Sequence, residues 1–298
     1  MKKKVRHILG VSGGKDSTGL IILLHKIIPD LEFFFCDTHK ELPETYEYLQ
    51  RIQTRFGIKI NMLSANKGFD EWLDLYAGYL PSARTRWCTR RMKLEPLNQF
   101  VGDDIAYSYV GIREDEDRSG YIGSNSNIKP VYVYKSLNFK NYHLGKEIYD
   151  QQKIINGFKE IGIELPLREN GFRIDDVIKL IENSGLGMPK YYEWRTRSGC
   201  FFCFFQRKYE WVMLAERHPK LFEAAANYEK DLGDGRKFAW CERETLRELL
   251  DRKDEIIANH KKDLARKKKE LPNRPLSEVL ASVLDDDDFE KPCLVCTL

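Results

Sequence analysis

The chain has 298 residues, 42% hydrophobic and 32% charged, with a formal net charge of +3. That length holds a full α/β domain plus a substantial extension, and the composition supports a packed core. It excludes a membrane protein, because no apolar run approaches the ~20 residues a spanning helix needs. So small a positive excess is also no argument for a nucleic-acid partner by itself, since charge selects partners only where it is concentrated.

The chain opens basic and then apolar, through Lys2 to Val11, in the manner of a secretory signal. The apolar stretch is too short for one and runs straight into a glycine loop, so Val5, Ile8, Leu9 and Val11 are read as a first strand. Seven cysteines without a signal then imply a reducing compartment, the cytoplasm, with thiols available for metals or chemistry. Leu20, Ile21, Leu23, Leu24, Ile27 and Ile28 recur at helical spacing. A second strand is predicted over Leu31 to Cys36, a helix over Pro43 to Phe56, and further strands over Lys59 to Leu63 and Ile105 to Ile112. Alternating strand and helix predicts an α/β fold with a mostly parallel sheet covered by helices on both faces. In such sheets ligands gather at the carboxyl ends of the strands, so the loops beginning at Ser12, Asp37 and Gly111 are expected to converge.

From about Lys135 to Phe172 the pattern is irregular and reads as an insertion or lid rather than a core element. Helices are predicted over Asp175 to Glu182, Tyr209 to Lys230 and Glu242 to Leu271, the last ended by Pro272. The acidic run Asp285 to Asp288 reads as a solvated loop ahead of the final cysteine pair.

The chemistry is concentrated in Gly10-Val11-Ser12-Gly13-Gly14-Lys15-Asp16-Ser17-Thr18, between a strand and a helix. Backbone amides and the helix dipole favour an anion there, paired glycines admit close approach, and Ser12, Ser17 and Lys15 add donors and charge. The spacing is not Walker A, which needs glycine directly before the lysine. Ser12-Gly13-Gly14-Lys15-Asp16-Ser17 resembles the PP-loop of ATP pyrophosphatases, which split ATP between its α and β phosphates. The resemblance implies an adenine nucleotide alpha hydrolase-like domain that binds ATP with magnesium. Ser12, Gly13, Gly14, Lys15, Asp16 and Ser17 would hold the phosphates, with Lys15, Asp16 and Arg113 catalytic.

Four further segments resemble the phosphoadenosine phosphosulfate reductases and their relatives. Asp37-Thr38-His39-Lys40-Glu41-Leu42-Pro43-Glu44-Thr45 is similar to their DTG-x-x-x-PET segment, with His39 in place of glycine, which implies Asp37 and Thr38 beside the nucleotide. Arg84 to Leu97, with Cys88 and five basic residues, resembles their cysteine-then-Lys-x-x-Pro segment. Gly111-Ile112-Arg113-Glu114-Asp115-Glu116 resembles their G-I-R segment, which implies Gly111 and Arg113 at the nucleotide. Asp175-Asp176-Val177 through Arg197-Ser198-Gly199-Cys200-Phe201-Phe202-Cys203 is similar to the family's closing G-C-x-x-C stretch.

Cys200-x-x-Cys203 and Cys293-x-x-Cys296 are two chelating pairs whose four thiolates suit zinc or a 4Fe-4S cluster equally on spacing. The phenylalanines around Cys200 and Cys203 favour iron-sulfur, and Cys88 is a fifth candidate ligand. Cys36 and Cys241 read as packing residues. The reductases carry a C-terminal Glu-Cys-Gly-x-His, whereas this chain has Pro292-Cys293-Leu294-Val295-Cys296-Thr297-Leu298. The remaining features resemble DNA phosphorothioation proteins of the DndC and SspD type. That implies adenylation of a DNA phosphate followed by sulfur entry, with a cysteine desulfurase or other sulfur donor and further modification-complex subunits as partners. Lys2 to Arg6, Arg84 to Lys93 and Lys261 to Lys269 would line a track for the DNA backbone. Transfer-RNA thiolation, sulfonucleotide reduction and non-catalytic nucleotide sensing remain alternatives. The expected organisation is a PP-loop domain over 1–205, with the insertion at about 135–172, and a mainly helical extension over 206–298.

Overall fold

The structure, a computed structural model, describes residues 3–116, 125–139, 141–144, 147–231, 237–242 and 244–270. The chain runs β1 (Val5–Gly10), α1 (Lys15–Leu24), β2 (Leu31–Asp37), α2 (Pro43–Phe56), β3 (Ile60–Ser64) and α3 (Phe69–Leu75). A single turn α4 (Trp87–Thr89) passes through a π-helical turn, Arg90–Leu94, into α5 (Glu95–Val101), followed by β4 (Ile105–Val110) and β5 (Ile128–Tyr132). A hairpin of β6 (Asn141–Leu144) and β7 (Glu147–Asp150) leads to α6 (Gln151–Glu160) and α7 (Ile174–Asn183). The remainder comprises α8 (Lys208–Arg217), α9 (Pro219–Ala226), the short pair β8 (Lys230–Asp231) and β9 (Lys237–Phe238), α10 (Leu246–Asp251) and α11 (Lys253–Glu270).

The main sheet has five strands in the order β3-β2-β1-β4-β5, every neighbouring pair parallel. Strand order reverses between β1 and β4, so the crevice at their carboxyl ends is the natural ligand position. Side chains alternate across the sheet: Phe33 and Phe35 pack with α1, α2 and α7, whereas Phe34 packs on the opposite face with Leu97 and Val101 of α5. Each such phenylalanine stabilises the fold by roughly 1.5–3 kcal/mol through removal from water.

Several expectations are corrected. The stretch read as an insertion supplies core: Ile155 and Phe158 of α6, then Ile163, Leu165 and Phe172, are buried with the sheet. Its apolar residues hold helical spacing, but the many polar residues between them mask it. The edge strand β5 escaped notice because Pro130 interrupts its pattern, and an edge tolerates proline where a central strand does not. The helix predicted over Tyr209 to Lys230 breaks at His218, where Pro219 starts α9 without an N–H to donate. That over Glu242 to Leu271 breaks at Arg252, with α10 capped by Thr245 and Glu248. A third apolar cluster joins Leu42, Phe69, Trp87 and Met92 to Phe202, Trp211, Trp240 and Leu249, so residues before and after position 205 share one core. Among the described residues no helix is long and apolar enough to cross a membrane. Pro272, the acidic run and Cys293 and Cys296 lie outside the described residues.

Candidate active site

β1 ends at Gly10 and the chain turns through Gly13, whose φ of 72° suits a residue without a Cβ, before α1 starts at Lys15. The N-cap of α1 is Gly14, which has no side chain to cap the helix. Hydroxyls gather around them: Ser12 Oγ lies 3.2 Å from Ser17 Oγ and 3.2 Å from Ser198 Oγ, and accepts from the Gly14 amide at 3.3 Å. Two tyrosines from the segment after α7 hold the loop. Tyr191 donates to the Gly13 carbonyl at 2.6 Å, and the Lys15 amide donates to Tyr192 Oη at 3.2 Å, with the Lys15 ammonium over the Tyr192 ring. Burial raises the Tyr191 phenol well above its usual range, so it remains a donor. Amides, hydroxyls and one buried lysine thus gather at this turn, the kinds of donor that could hold an anion.

Arg113 does not present its guanidinium to open solvent. Its side chain is 1% exposed and reaches Asp16 at 2.7 Å, Asp115 at 3.1 Å and Glu116 at 3.0 Å. Lys15 lies 3.7 Å from the other Asp16 oxygen, and Lys135 donates to the Arg113 carbonyl at 2.9 Å. Three cations and three carboxylates thus balance at the end of β4, and Asp115 also accepts from the Ile174 amide at the start of α7. Gly111 permits this closeness, since a Cβ there would stand 3.2 Å from Asp16 Cβ and 3.3 Å from its carbonyl carbon. Tyr134 completes the clamp by donating to the Asp16 carbonyl at 2.8 Å.

At the end of β2, Asp37 accepts from the His39 amide at 2.8 Å and from Tyr46 Oη at 2.7 Å. His39 takes a φ of 56°, the left-handed turn that glycine makes without strain. Thr38 donates to buried Glu41 at 2.7 Å and lies 3.5 Å from Cys200 Sγ. Burial raises the Glu41 carboxyl, opposed by Lys93 and by the Thr38 hydrogen bond; burial and then Glu41 hold the Cys200 thiol well above its usual range. Residues 200–201 run antiparallel against 40–41, with the Phe201 amide donating to the Lys40 carbonyl at 2.8 Å. Arg195, 1% exposed, fixes this turn by donating to the Gly199 and Cys200 carbonyls. An apolar pocket results, lined by Thr38, Phe69, Pro81, Cys88, Thr89, Met92, Lys93, Cys200, Phe202, Cys203 and Phe204. Cys88 therefore shares one cavity with the distant pair Cys200 and Cys203, and Ser198, two residues before Cys200, touches Ser12 of the glycine loop.

This arrangement can be set beside known proteins. Residues 6–123 match the phosphoadenosine phosphosulfate reductase domain. The matched segment spans the glycine loop, Asp37, Cys88 and Arg113, whereas Ser198, Cys200 and Cys203 lie beyond it. Two uncharacterized proteins of Methanocaldococcus jannaschii are 32% and 29% identical over 54% and 51% of this chain, covering 36% and 39% of their own lengths. An adenosine 5'-phosphosulfate reductase of Staphylococcus haemolyticus is 28% identical over 49% of the chain and 60% of the relative. The chain thus spans less than two thirds of the length of these relatives. A phosphoadenylyl-sulfate reductase structure from Candida auris, in complex with phosphate, superposes at a TM-score of 0.42 and 11% identity, covering 65% of this chain and 81% of that one.

The structure brings Ser12, Gly13, Gly14, Lys15, Asp16, Ser17, Gly111 and Arg113 together at the ends of β1 and β4, and places Asp37 and Thr38 at the end of the adjoining strand β2. Sequence reasoning missed Tyr134, Tyr191, Tyr192 and Ser198 as loop partners and Glu41 and Arg195 behind the cysteine pocket. Ser198 alone carried a signal, its place two residues before the C-x-x-C pair. A metal or cluster is a separate question. Among the described residues no group of three His, Cys, Asp or Glu side chains is arranged to hold a metal ion. Cys88, Cys200 and Cys203 therefore do not by themselves form a ligand set, and Cys293 and Cys296 lie outside the described residues.

Proposed function

We propose that the chain is an ATP pyrophosphatase that adenylates a backbone phosphate of DNA and thereby prepares it for sulfur incorporation. One observation carries the reading: the anion cradle of the phosphate loop and the three-cysteine pocket adjoin, joined through Thr38 and the Ser198–Cys200 turn. A phosphodiester oxygen is a poor leaving group. Its attack on the α phosphorus of ATP expels pyrophosphate and converts it into part of AMP, which a sulfur nucleophile displaces.

In this reaction the amides at the start of α1, the Ser12 and Ser17 hydroxyls and the Lys15 ammonium take up the charge that develops on pyrophosphate. Loss of one such donor costs on the order of 100-fold to 1,000-fold in rate. Asp16, held by Arg113 and Lys15, keeps a carboxylate at the loop where a magnesium ion would accompany the phosphates. The cysteine pocket receives sulfur from a cysteine desulfurase or another donor, and further subunits of a modification complex deliver the DNA. An iron-sulfur cluster or zinc would need ligands additional to Cys88, Cys200 and Cys203.

The test is to incubate the protein with ATP, magnesium and DNA and to measure AMP and pyrophosphate. Stoichiometric release that Lys15→Ala abolishes is expected. Normal release by Lys15→Ala overturns the assignment. Similarity to adenosine 5'-phosphosulfate reductases favours a second reading, sulfonucleotide reduction. It predicts sulfite from adenosine 5'-phosphosulfate and a thiol, with no use for ATP, and that outcome would replace the proposal.

A further inference from the structure

A second hollow opens at the carboxyl edge of the sheet, one strand outward from Asp37. β3 ends at Ser64, which pairs in register with Asp37, and residues 65–67 then form one wall. The opposite wall is the π-helical turn and α5. Within that turn Met92 and Lys93 line the cysteine pocket, whereas Arg91 lines the hollow, together with Glu95 just beyond it. Irregular π turns of this kind recur at functional sites.

We propose that this hollow, walled by Asn66, Lys67, Trp72, Arg91, Glu95 and Gln99, seats one nucleobase of an unpaired DNA strand whose neighbouring phosphate is the one adenylated. The inference rests on the nucleic-acid reading above and deepens it. Its first support is a flat platform. The Arg91 guanidinium lies 4.7 Å from the centroid of the Trp72 ring and is pinned by Glu95 and by Tyr76 Oη. A guanidinium held beside an indole is a planar cation on which a base can stack, and with 34% of its side chain exposed Arg91 is open to one.

The second support is the lining chemistry. Asn66 and Gln99 each bring an amide donor and acceptor, Glu95 accepts, and Lys67 donates, which is the mixture a base edge reads. Arg91 is paired with Glu95 and Lys67 lies 3.9 Å from Glu71, which favours a neutral heterocycle over a free phosphate. The third is size: the hollow measures about 210 Å³, several times the ~30 Å³ share of one water.

The experiment uses the full chain and single-stranded DNA oligomers followed by fluorescence anisotropy, with an abasic residue moved along the strand. One abasic position is expected to weaken wild-type binding about tenfold, or about 1.4 kcal/mol. Arg91→Ala should weaken the intact oligomer by a similar factor and make that abasic position neutral, because partners in one contact are not additive. The double variant Asn66→Ala with Gln99→Ala, both at the exposed rim, should behave alike without disturbing the fold. Additive penalties, or an abasic scan with no sensitive position, overturn the seat. Arg91→Lys retains charge without the plane; full binding by that variant assigns Arg91 to phosphate and also overturns it. Should the wild type bind no oligomer, the nucleic-acid reading itself fails. Free nucleosides titrated in the presence of ATP then decide the seat by tryptophan quenching: Arg91-dependent quenching sustains it, and none refutes it.

Discussion

Replacing Arg113 by alanine leaves Asp16, Asp115 and Glu116 facing one another without their shared cation. The contacts are 2.7, 3.1 and 3.0 Å, the arginine side chain is 1% exposed and its partners are 13–15% exposed. Removing one member of a buried pair typically costs ~3–5 kcal/mol, because the remaining charge is stranded. The residual exposure of the carboxylates places the expected loss at the lower end, about 3 kcal/mol by the same measure. With a urea slope of about 2–3 kcal/mol per molar, the unfolding midpoint should fall by about 1–1.5 M. Urea titration followed by tryptophan fluorescence reads this directly. Arg113→Lys should lose less, since one ammonium retains the charge but not the separate nitrogens that reach Asp16 and Asp115. Adding Asp115→Asn and Glu116→Gln to Arg113→Met should recover part of the loss by removing stranded charge. A midpoint for Arg113→Ala indistinguishable from wild type would refute the claim that this cluster braces the phosphate loop.

Three other outcomes are expected. Gly111→Ala pushes a methyl group against Asp16, including its backbone, and should weaken ATP binding about tenfold by isothermal titration, the equivalent of about 1.4 kcal/mol. Glu248, paired with Lys237 and capping α10, is held down to about 2 from 4.5. Its folded pKa lies below the unfolded one, so the stability it lends is present above pH ~4.5 and is lost as pH falls toward ~2; the Tm gap between wild type and Glu248→Gln should close over that window, and a gap constant with pH would contradict the assignment. Burial pushes the Cys36 and Cys241 thiols up to about 12; native protein alkylated at pH 8 should therefore spare both, as read by peptide mass mapping against a urea-denatured control.

The glycine turn ahead of α1 and the first three strands were legible in the sequence because their signals are local. Gly13-Gly14-Lys15 between an apolar run and a helical repeat needs no distant partner to be recognised, and the alternation of Phe33, Phe34 and Phe35 follows from the strand period alone. α6 was less legible. Ile155 and Phe158 hold helical spacing, but the asparagines, lysines and glycines around them read as loop until the sheet supplies a surface to cover. The breaks at His218 and Arg252 are local too, yet an amphipathic pattern continues across each and conceals them.

What the sequence by itself determined was a glycine turn between the first strand and helix, a parallel α/β scaffold and a set of thiols. Only the tertiary structure decided how these meet. Cys88 joins Cys200 and Cys203 because the turn around Cys200 adds to the chain after β2, and Arg113 becomes a brace because Gly111 lets the end of β4 touch Asp16. Such pairings depend on packing between elements far apart along the chain, where no period or spacing carries the information. A guanidinium aimed at a ligand and one enclosed by carboxylates have the same letters around them; burial and the positions of three opposing charges tell them apart.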